Sequence, residues 1–215
     1  MAMMVDIPNK KPVAVILFLT FLASFAGNVG AQNAITPEKM VERAIHVCNA
    51  CHGEDGNSKL PTFPKLAGQP AFYLAEQLRA FRSQTRADSS PQAYMWGISA
   101  LLDENTIAGL ADYYATKTPI AGQPGKAEQM EKGRRIFSEG IPARNVMACK
   151  QCHGERGEGA SVFPRIAGQH ADYIVKQLNE FSTKLRPHGV IMAERVVKNM
   201  TPEDMRAVAT YLQAK

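Results

Sequence analysis

The sequence predicts an all-α chain made by tandem duplication of one unit. Three observations predict it. The stretch Cys48-Asn49-Ala50-Cys51-His52-Gly53-Glu54 returns as Cys149-Lys150-Gln151-Cys152-His153-Gly154-Glu155. Downstream, Phe63-Pro64-Lys65-Leu66-Ala67-Gly68-Gln69 returns as Phe163-Pro164-Arg165-Ile166-Ala167-Gly168-Gln169, at an offset of 100 residues against 101 at the cysteines. Apolar residues near these motifs recur at helical spacing, and the Gly- and Pro-rich connections show no strand alternation. A repeat of this length means two units of about 90 residues each, not one unit with two chemistries.

Composition narrows the class. The 215 residues are 45% hydrophobic and 21% charged, which excludes a disordered or collagen-like chain. Four cysteines are too few for a disulfide-dense scaffold, and all four fall in the two short clusters. The formal net charge of +5 is unevenly spread: residues 32–120 hold 8 Lys/Arg and 9 Asp/Glu, whereas residues 121–215 hold 15 and 10. No nucleic-acid reader motif accompanies this charge. An acidic protein surface or anionic lipid headgroups fit the basic half better.

The elements follow in chain order. Lys10 and Lys11, the apolar run Val13 to Ala26 and the small-residue site Val29-Gly30-Ala31 read as a signal peptide over residues 1–31. The run is short for the ~20 residues of a membrane span. Export places the remaining chain outside the cytoplasm, in the periplasm of a Gram-negative cell. Unit one spans 32–118 and opens on a helix with Thr36 as N-cap and Pro37 at its first position. A second helical stretch covers Ala71 to Phe81, and Asp103 caps a last helix over Thr106 to Tyr114. Residues 119–125, with Pro119, Gly122, Pro124 and Gly125, form a short linker. Unit two spans 126–215. Ala127 to Phe137 matches the opening helix, and Gly140 to Val146 is a longer loop before the cysteines. Ala171 to Phe181 matches the middle helix, and Thr201 with Pro202 caps Glu203 to Leu212.

Cys-x-x-Cys-His is the attachment signature of c-type haem. Two thiols at that spacing reach the two vinyl groups of one porphyrin, and the adjacent His sets an imidazole beneath the iron. Cys48, Cys51 and His52 then serve one haem; Cys149, Cys152 and His153 serve a second. A thioredoxin-like redox pair needs a βαβ setting that the pattern lacks. A zinc site would have to join both cysteine pairs across the units.

The sixth iron ligand must come from the opposite side, from a distant segment. Candidates are Met95 and His46 in unit one, and Met192, Met200, His170 and His188 in unit two. Met95 and Met192 occupy matching loops before the last helix, which selects them. His46 reads as a surface or packing residue, His170 as a polar helix-terminus residue, and Met200 as core; His188 is the rival to Met192. His/Met ligation raises the haem potential and leaves no open coordination position, which points to electron transfer and away from catalysis. The carbonyls of Pro64 and Pro164 are candidate acceptors for the proximal imidazoles' other ring N–H. Tyr73, Tyr173, Arg86 and Arg186 are candidates for holding haem propionates, and Trp96 for packing beside haem one.

Over the whole exported chain these paired motifs resemble the dihaem cytochrome c4 family. The resemblance implies two class I cytochrome c folds related by a pseudo-twofold axis, with two covalently bound haem c groups. Haem one would be held by Cys48 and Cys51 with iron ligands His52 and Met95, haem two by Cys149 and Cys152 with His153 and Met192. It implies a periplasmic carrier, not an enzyme, loosely associated with the membrane surface. Such a carrier takes electrons from a quinol-oxidising or dehydrogenase donor and passes them toward a terminal oxidase by outer-sphere Fe(II)/Fe(III) cycling. The alternative is a haem-bearing subunit of a periplasmic oxidoreductase complex.

Overall fold

A computed structural model of the chain describes residues 36–88, 91–183, 185–186 and 189–215. The expected signal peptide, residues 1–31, and His188 lie outside these described residues. The first repeat contributes α1 (Pro37–His52), α2 (Ala71–Arg82), α3 (Pro91–Ser99) and α4 (Glu104–Ala115). The second contributes α5 (Ala127–Glu139), α6 (Lys150–His153), α7 (Ala171–Phe181), α8 (Val190–Arg195) and α9 (Pro202–Gln213). Among the described residues, extended pairing is limited to two isolated bridges, Ile141 with Val146 and Ala160 with Phe163. The fold is all-α, as expected.

The caps read from the sequence are present. Thr36 Oγ1 accepts from the Lys39 N–H at 3.4 Å, and Asp103 Oδ1 accepts from the Thr106 N–H at 2.7 Å. Each satisfies a backbone donor that the first helical turn leaves unpaired. At α9 the cap is reciprocal: Thr201 Oγ1 accepts from the Asp204 N–H at 3.2 Å, and Asp204 Oδ2 accepts from the Thr201 N–H at 2.9 Å.

In each repeat the last helix is the centre of packing. Helix α4 lies on α1 and α2, and α9 lies on α5 and α7. Ile107, Leu110, Ala111 and Tyr114 of α4 are buried against Leu74 and Ala75. In the second repeat Val208, Ala209 and Leu212 of α9 are buried with Ile136, Phe137, Ile174 and Leu178. Each fully buried Leu or Ile stabilises by about 1.5–3 kcal/mol. The first and last helices cross closely in both repeats, but the small residue changes sides. In the first repeat, a Cβ on Gly109 of α4 would lie 2.5 Å from Val41 Cγ2 of α1. In the second, a Cβ on Gly133 of α5 would lie 2.2 Å from the Ala207 carbonyl oxygen of α9. The duplicated crossing thus keeps its closeness by exchanging bulk between partners.

Residues Thr36 to Lys215 pack as one compact unit, with the connecting segment tied down along its length. Asn57 donates to the Thr118 carbonyl at 3.0 Å and accepts from the Ile120 N–H at 2.9 Å. The Gly122 N–H donates to the Gln213 carbonyl at 2.7 Å. The insertion before Cys149 folds as a tight reversal around a 3-10 turn at Pro142–Arg144. It therefore splits the long opening helix of repeat one into α5 and α6 in repeat two.

Two outcomes follow. Gly133→Ala places its methyl against backbone, so the crossing must open; a loss of about 1–3 kcal/mol is expected, read as a lowered melting temperature of the holoprotein. The second concerns Asp204, which is 2% exposed and paired with Arg144 at 2.6 Å and Lys132 at 3.1 Å. Burial alone would raise its pKa; the Thr201 bonds and the two cations outweigh burial and hold it below the ordinary carboxylate value. A depressed folded pKa gives stability that is present above the unfolded value of about 3.9 and lost as pH falls below it. Asp204→Asn is expected to lose about 1–3 kcal/mol at pH 7 and to show a shallower decline in acid, measured by denaturant unfolding at several pH values.

Candidate functional site

Both Cys-x-x-Cys-His clusters sit at the end of a helix, α1 in one repeat and α6 in the other. Immediately after each histidine the chain turns through a glycine of positive φ, 86° at Gly53 and 85° at Gly154. A Cβ on Gly53 would lie 3.0 Å from the backbone of Asn57, so the turn requires glycine for both conformation and space. The returning loop is held by a forked bond in each copy. The Gly56 carbonyl accepts from the Leu66 and Ala67 N–H groups at 2.7 and 3.1 Å, and the Gly157 carbonyl from those of Ile166 and Ala167 at 2.9 and 3.0 Å.

This loop brings a proline carbonyl onto each imidazole. His52 Nδ1–H donates to the Pro64 oxygen at 2.8 Å, and His153 Nδ1–H to the Pro164 oxygen at 2.8 Å. A carbonyl can only accept, so Nδ1 carries the proton and Nε2 keeps its lone pair. Burial pushes the pKa of both imidazoles down against the opposing pull of the carbonyls, so both rings are neutral at pH 7. No hydrogen-bond partner for either Nε2 is found among the described residues. Phe63 and Phe163 set their rings edge-on to the imidazoles at 6.2 and 6.3 Å. Each histidine is therefore fixed in the tautomer and orientation of a metal ligand.

Burial keeps two of the thiols, Cys48 and Cys149, in the protonated form. Burial pushes Cys48 up to about 11 and Cys149 up to about 12. The four cysteines form no disulfide, and among the described residues no cluster of His, Cys, Asp or Glu forms a metal cage. Cys48 and Cys149 are therefore not low-pKa redox thiols.

One cavity of about 1150 Å³ runs through both repeats. Its walls carry all eight expected site residues: Cys48, Cys51, His52 and Met95 from the first repeat, Cys149, Cys152, His153 and Met192 from the second. The methionines stand on short helices, Met95 on α3 and Met192 on α8, not on the loops that the sequence suggested. Pro91 at its start and Gly97 within it disguise α3, and α8 is under two turns long. Among the rival ligands, His46 is exposed on α1, and Met200 is buried in the second core although it reaches the cavity wall. His170 stands at the N-cap position of α7, and its Nε2 lies 2.9 Å from Ser58 Oγ of the first repeat.

A polar cluster lies against the same cavity. Arg86 stacks on Phe81 and Arg186 on Phe181, at 4.5 and 4.4 Å. Arg86 donates to Gln77 at 2.7 Å, and Arg186 donates to Gln177 in the same way. The pattern then crosses over: Arg86 also reaches Gln177 at 3.1 Å and Tyr173 at 3.1 Å, and Arg186 reaches Gln77 at 3.2 Å. Asp88, fully buried, pairs with Arg86 at 2.6 Å and faces Arg186 at 4.0 Å. Two guanidiniums against one carboxylate leave positive charge at the wall, which suits anionic groups on an apolar occupant. Trp96 is directed elsewhere: its indole N–H donates to the Arg86 carbonyl at 2.8 Å, and the ring is absent from the cavity wall. The expectation that it packs beside the first haem is thus corrected, because the Arg86 carbonyl captures its polar edge.

A second cross-repeat pairing involves Gln69 and Gln169, 6% and 5% exposed. The Lys65 N–H donates to Gln169 Oε1 at 2.9 Å, and Gln169 Nε2 donates back to the Lys65 carbonyl at 3.0 Å. Reciprocally, the Arg165 N–H donates to Gln69 Oε1 at 3.0 Å, and Gln69 Nε2 donates to the Arg165 carbonyl at 2.7 Å. Both glutamines stand in the repeated motif, yet only the repeat itself marked them; the residue they reach is set by how the two copies dock.

The donor set fits two c-type haems. Each repeat offers two thiols, a neutral imidazole with a free Nε2 and a thioether on one shared apolar wall. The volume exceeds the roughly 300–1,000 Å³ of a single ligand pocket.

Comparison with known proteins agrees. The Cytochrome c family matches residues 130–214. The chain is 36% identical to cytochrome c-552 of Acidithiobacillus ferridurans, over 92% of this chain and 86% of that protein. It is 32% identical to a thiosulfate dehydrogenase electron acceptor of Stutzerimonas stutzeri, over 95% of this chain and 92% of that one. The solved cytochrome c4 of Acidithiobacillus ferrooxidans superposes with a TM-score of 0.72 at 37% identity, covering 78% of this chain and 98% of that one.

A cavity of this size needs its occupant. Without an occupant its apolar lining faces water and the core of each repeat, about 90 residues long, lacks its centre. Chain produced without haem is expected to lack a cooperative thermal transition in circular dichroism, whereas the haem-loaded protein shows one.

Proposed function

This chain belongs to the cytochrome c4 family, binds two haem c groups and transfers electrons without being an enzyme itself, and from that premise we propose a periplasmic shuttle between respiratory donors and a terminal oxidase. The observation that carries the reading is the single cavity on which both sets of site residues stand. When bound, each haem supplies a reversible one-electron Fe(II)/Fe(III) couple.

The chain's own residues supply position and closure. Cys48 with Cys51, and Cys149 with Cys152, anchor the haems through thioether bonds. His52 and His153 present Nε2 as proximal iron ligands, oriented by Pro64 and Pro164. Met95 and Met192 supply the sixth ligands from α3 and α8. His/Met ligation raises the potential and shuts out small molecules, which suits a carrier. Arg86 and Arg186, with Tyr73 and Tyr173, take the propionates. Residues 1–31 direct export and are removed; 32–118 and 126–215 are the two cytochrome c domains, joined by 119–125. The basic second half meets acidic partner surfaces and the membrane face. The donor is a quinol-oxidising complex or a dehydrogenase.

Mixing reduced protein with membranes that contain a terminal oxidase tests this. Rapid oxidation that slows as salt rises is expected. A second reading, a haem-bearing partner dedicated to one oxidoreductase, is favoured by the likeness to the thiosulfate dehydrogenase electron acceptor. Under it the oxidase leaves the protein reduced, while one dehydrogenase reduces it quickly and co-purifies with it.

The ligand roles give a separate outcome. The wild-type reduced protein is expected not to bind carbon monoxide. Met95→Ala is expected to let about half of the haem bind it, at haem one, and Met192→Ala the other half, at haem two, followed by the Soret shift.

A further inference from the structure

The two cross-repeat glutamines bond to the same peptide units that hold the proximal histidines. The Pro64 carbonyl that accepts from His52 and the Lys65 N–H that donates to Gln169 belong to one amide. The Pro164 carbonyl that accepts from His153 and the Arg165 N–H that donates to Gln69 belong to another. The atoms of an amide share one resonance system. An acceptor on its N–H draws the proton outward and sends electron density to its oxygen. That makes the oxygen a better acceptor for the imidazole N–H, by roughly 10–30% per linked bond. A stronger pull on Nδ1–H makes the imidazole a more basic ligand.

We propose that Gln169 and Gln69 are positioning residues that set the strength of the proximal imidazole hydrogen bond in the opposite repeat, and through it the potential of that repeat's haem. The inference rests on the reading of His52 and His153 as iron ligands. Gln169 acts on His52 and haem one; Gln69 acts on His153 and haem two. The amide side chain suits the task on geometry. Its Oε1 accepts the peptide N–H while its Nε2 returns to the carbonyl of the same residue, so the side chain cannot rotate away. Burial of both glutamines keeps water from substituting for them. A more basic imidazole stabilises Fe(III), so each glutamine lowers the potential of the haem across the interface.

Gln169→Leu and Gln69→Leu in the holoprotein test this. The Nδ1–H proton resonance of each proximal histidine is read by NMR in the reduced state, and the two midpoint potentials by a titration that resolves the haem methyl signals. In Gln169→Leu the His52 Nδ1–H is expected to move upfield and haem one to rise in potential, with His153 and haem two moving less. In Gln69→Leu the pattern swaps. Unmoved Nδ1–H signals in the Leu variants overturn the proposal. So do equal changes at both haems, or a change confined to the mutated repeat's own haem, because a merely structural glue gives those results. Failure of the underlying reading shows separately, in the wild type: ring protons of His52 and His153 without the large upfield shifts of an iron-bound imidazole would remove the ligand assignment itself.

Discussion

The hydrogen bond from a buried imidazole to a proline carbonyl is the constraint on which the rest of each repeat depends. At 2.8 Å in both copies, it fixes the ring's tautomer and its tilt in one contact, while burial keeps the ring neutral. The surrounding structure serves to deliver that carbonyl. The glycine after the histidine turns the chain, the forked bond at Gly56 or Gly157 folds the loop back, and the last helix pins the loop's end. Gly68 N–H donates to the Tyr114 carbonyl at 2.9 Å, and Gly168 N–H to the Leu212 carbonyl at 2.8 Å. The chain between these points has little freedom left, so the place of the imidazole is set by the fold.

Duplication gives the molecule a near-symmetric centre and then departs from symmetry at particular residues. The arginine and glutamine pairs cross the interface reciprocally. Asp88 does not fit that symmetry, since one carboxylate faces two guanidiniums. The insertion at Gly140 to Val146 changes one rim, and the charge excess lies in the second half. Equivalent donor sets thus stand in unequal surroundings, the means by which a protein gives two like centres different potentials.

Much of this was legible in the sequence because the relevant signals are local. Cys-x-x-Cys-His fixes the spacing of three donors on one helical turn, and Thr36, Asp103 and Thr201 announce helix starts through chemistry confined to a few residues. The Pro64 and Pro164 carbonyls were readable because the repeat kept them at nearly the same distance from their histidines. The residues missed are those whose partners lie in the other copy. Gln69, Gln169, Ser58 and Asp88 have roles set by docking, which no periodicity encodes. Trp96 was misread because adjacency to Met95 in sequence is not adjacency in space: on a helix, neighbours point in different directions. The short helices α3 and α8 carry too few turns for a hydrophobic period to show.

The account turns on the proposed closure of both irons, each between a histidine Nε2 and the thioether of Met95 or Met192. Electron paramagnetic resonance of the fully oxidised native protein tests this most directly, since spin state reports the strength and number of axial ligands at each centre. The account predicts low-spin ferric signals accounting for all of the iron, from two distinguishable haems. A high-spin signal amounting to one of the two irons would contradict it and reopen that haem as a place where a substrate binds.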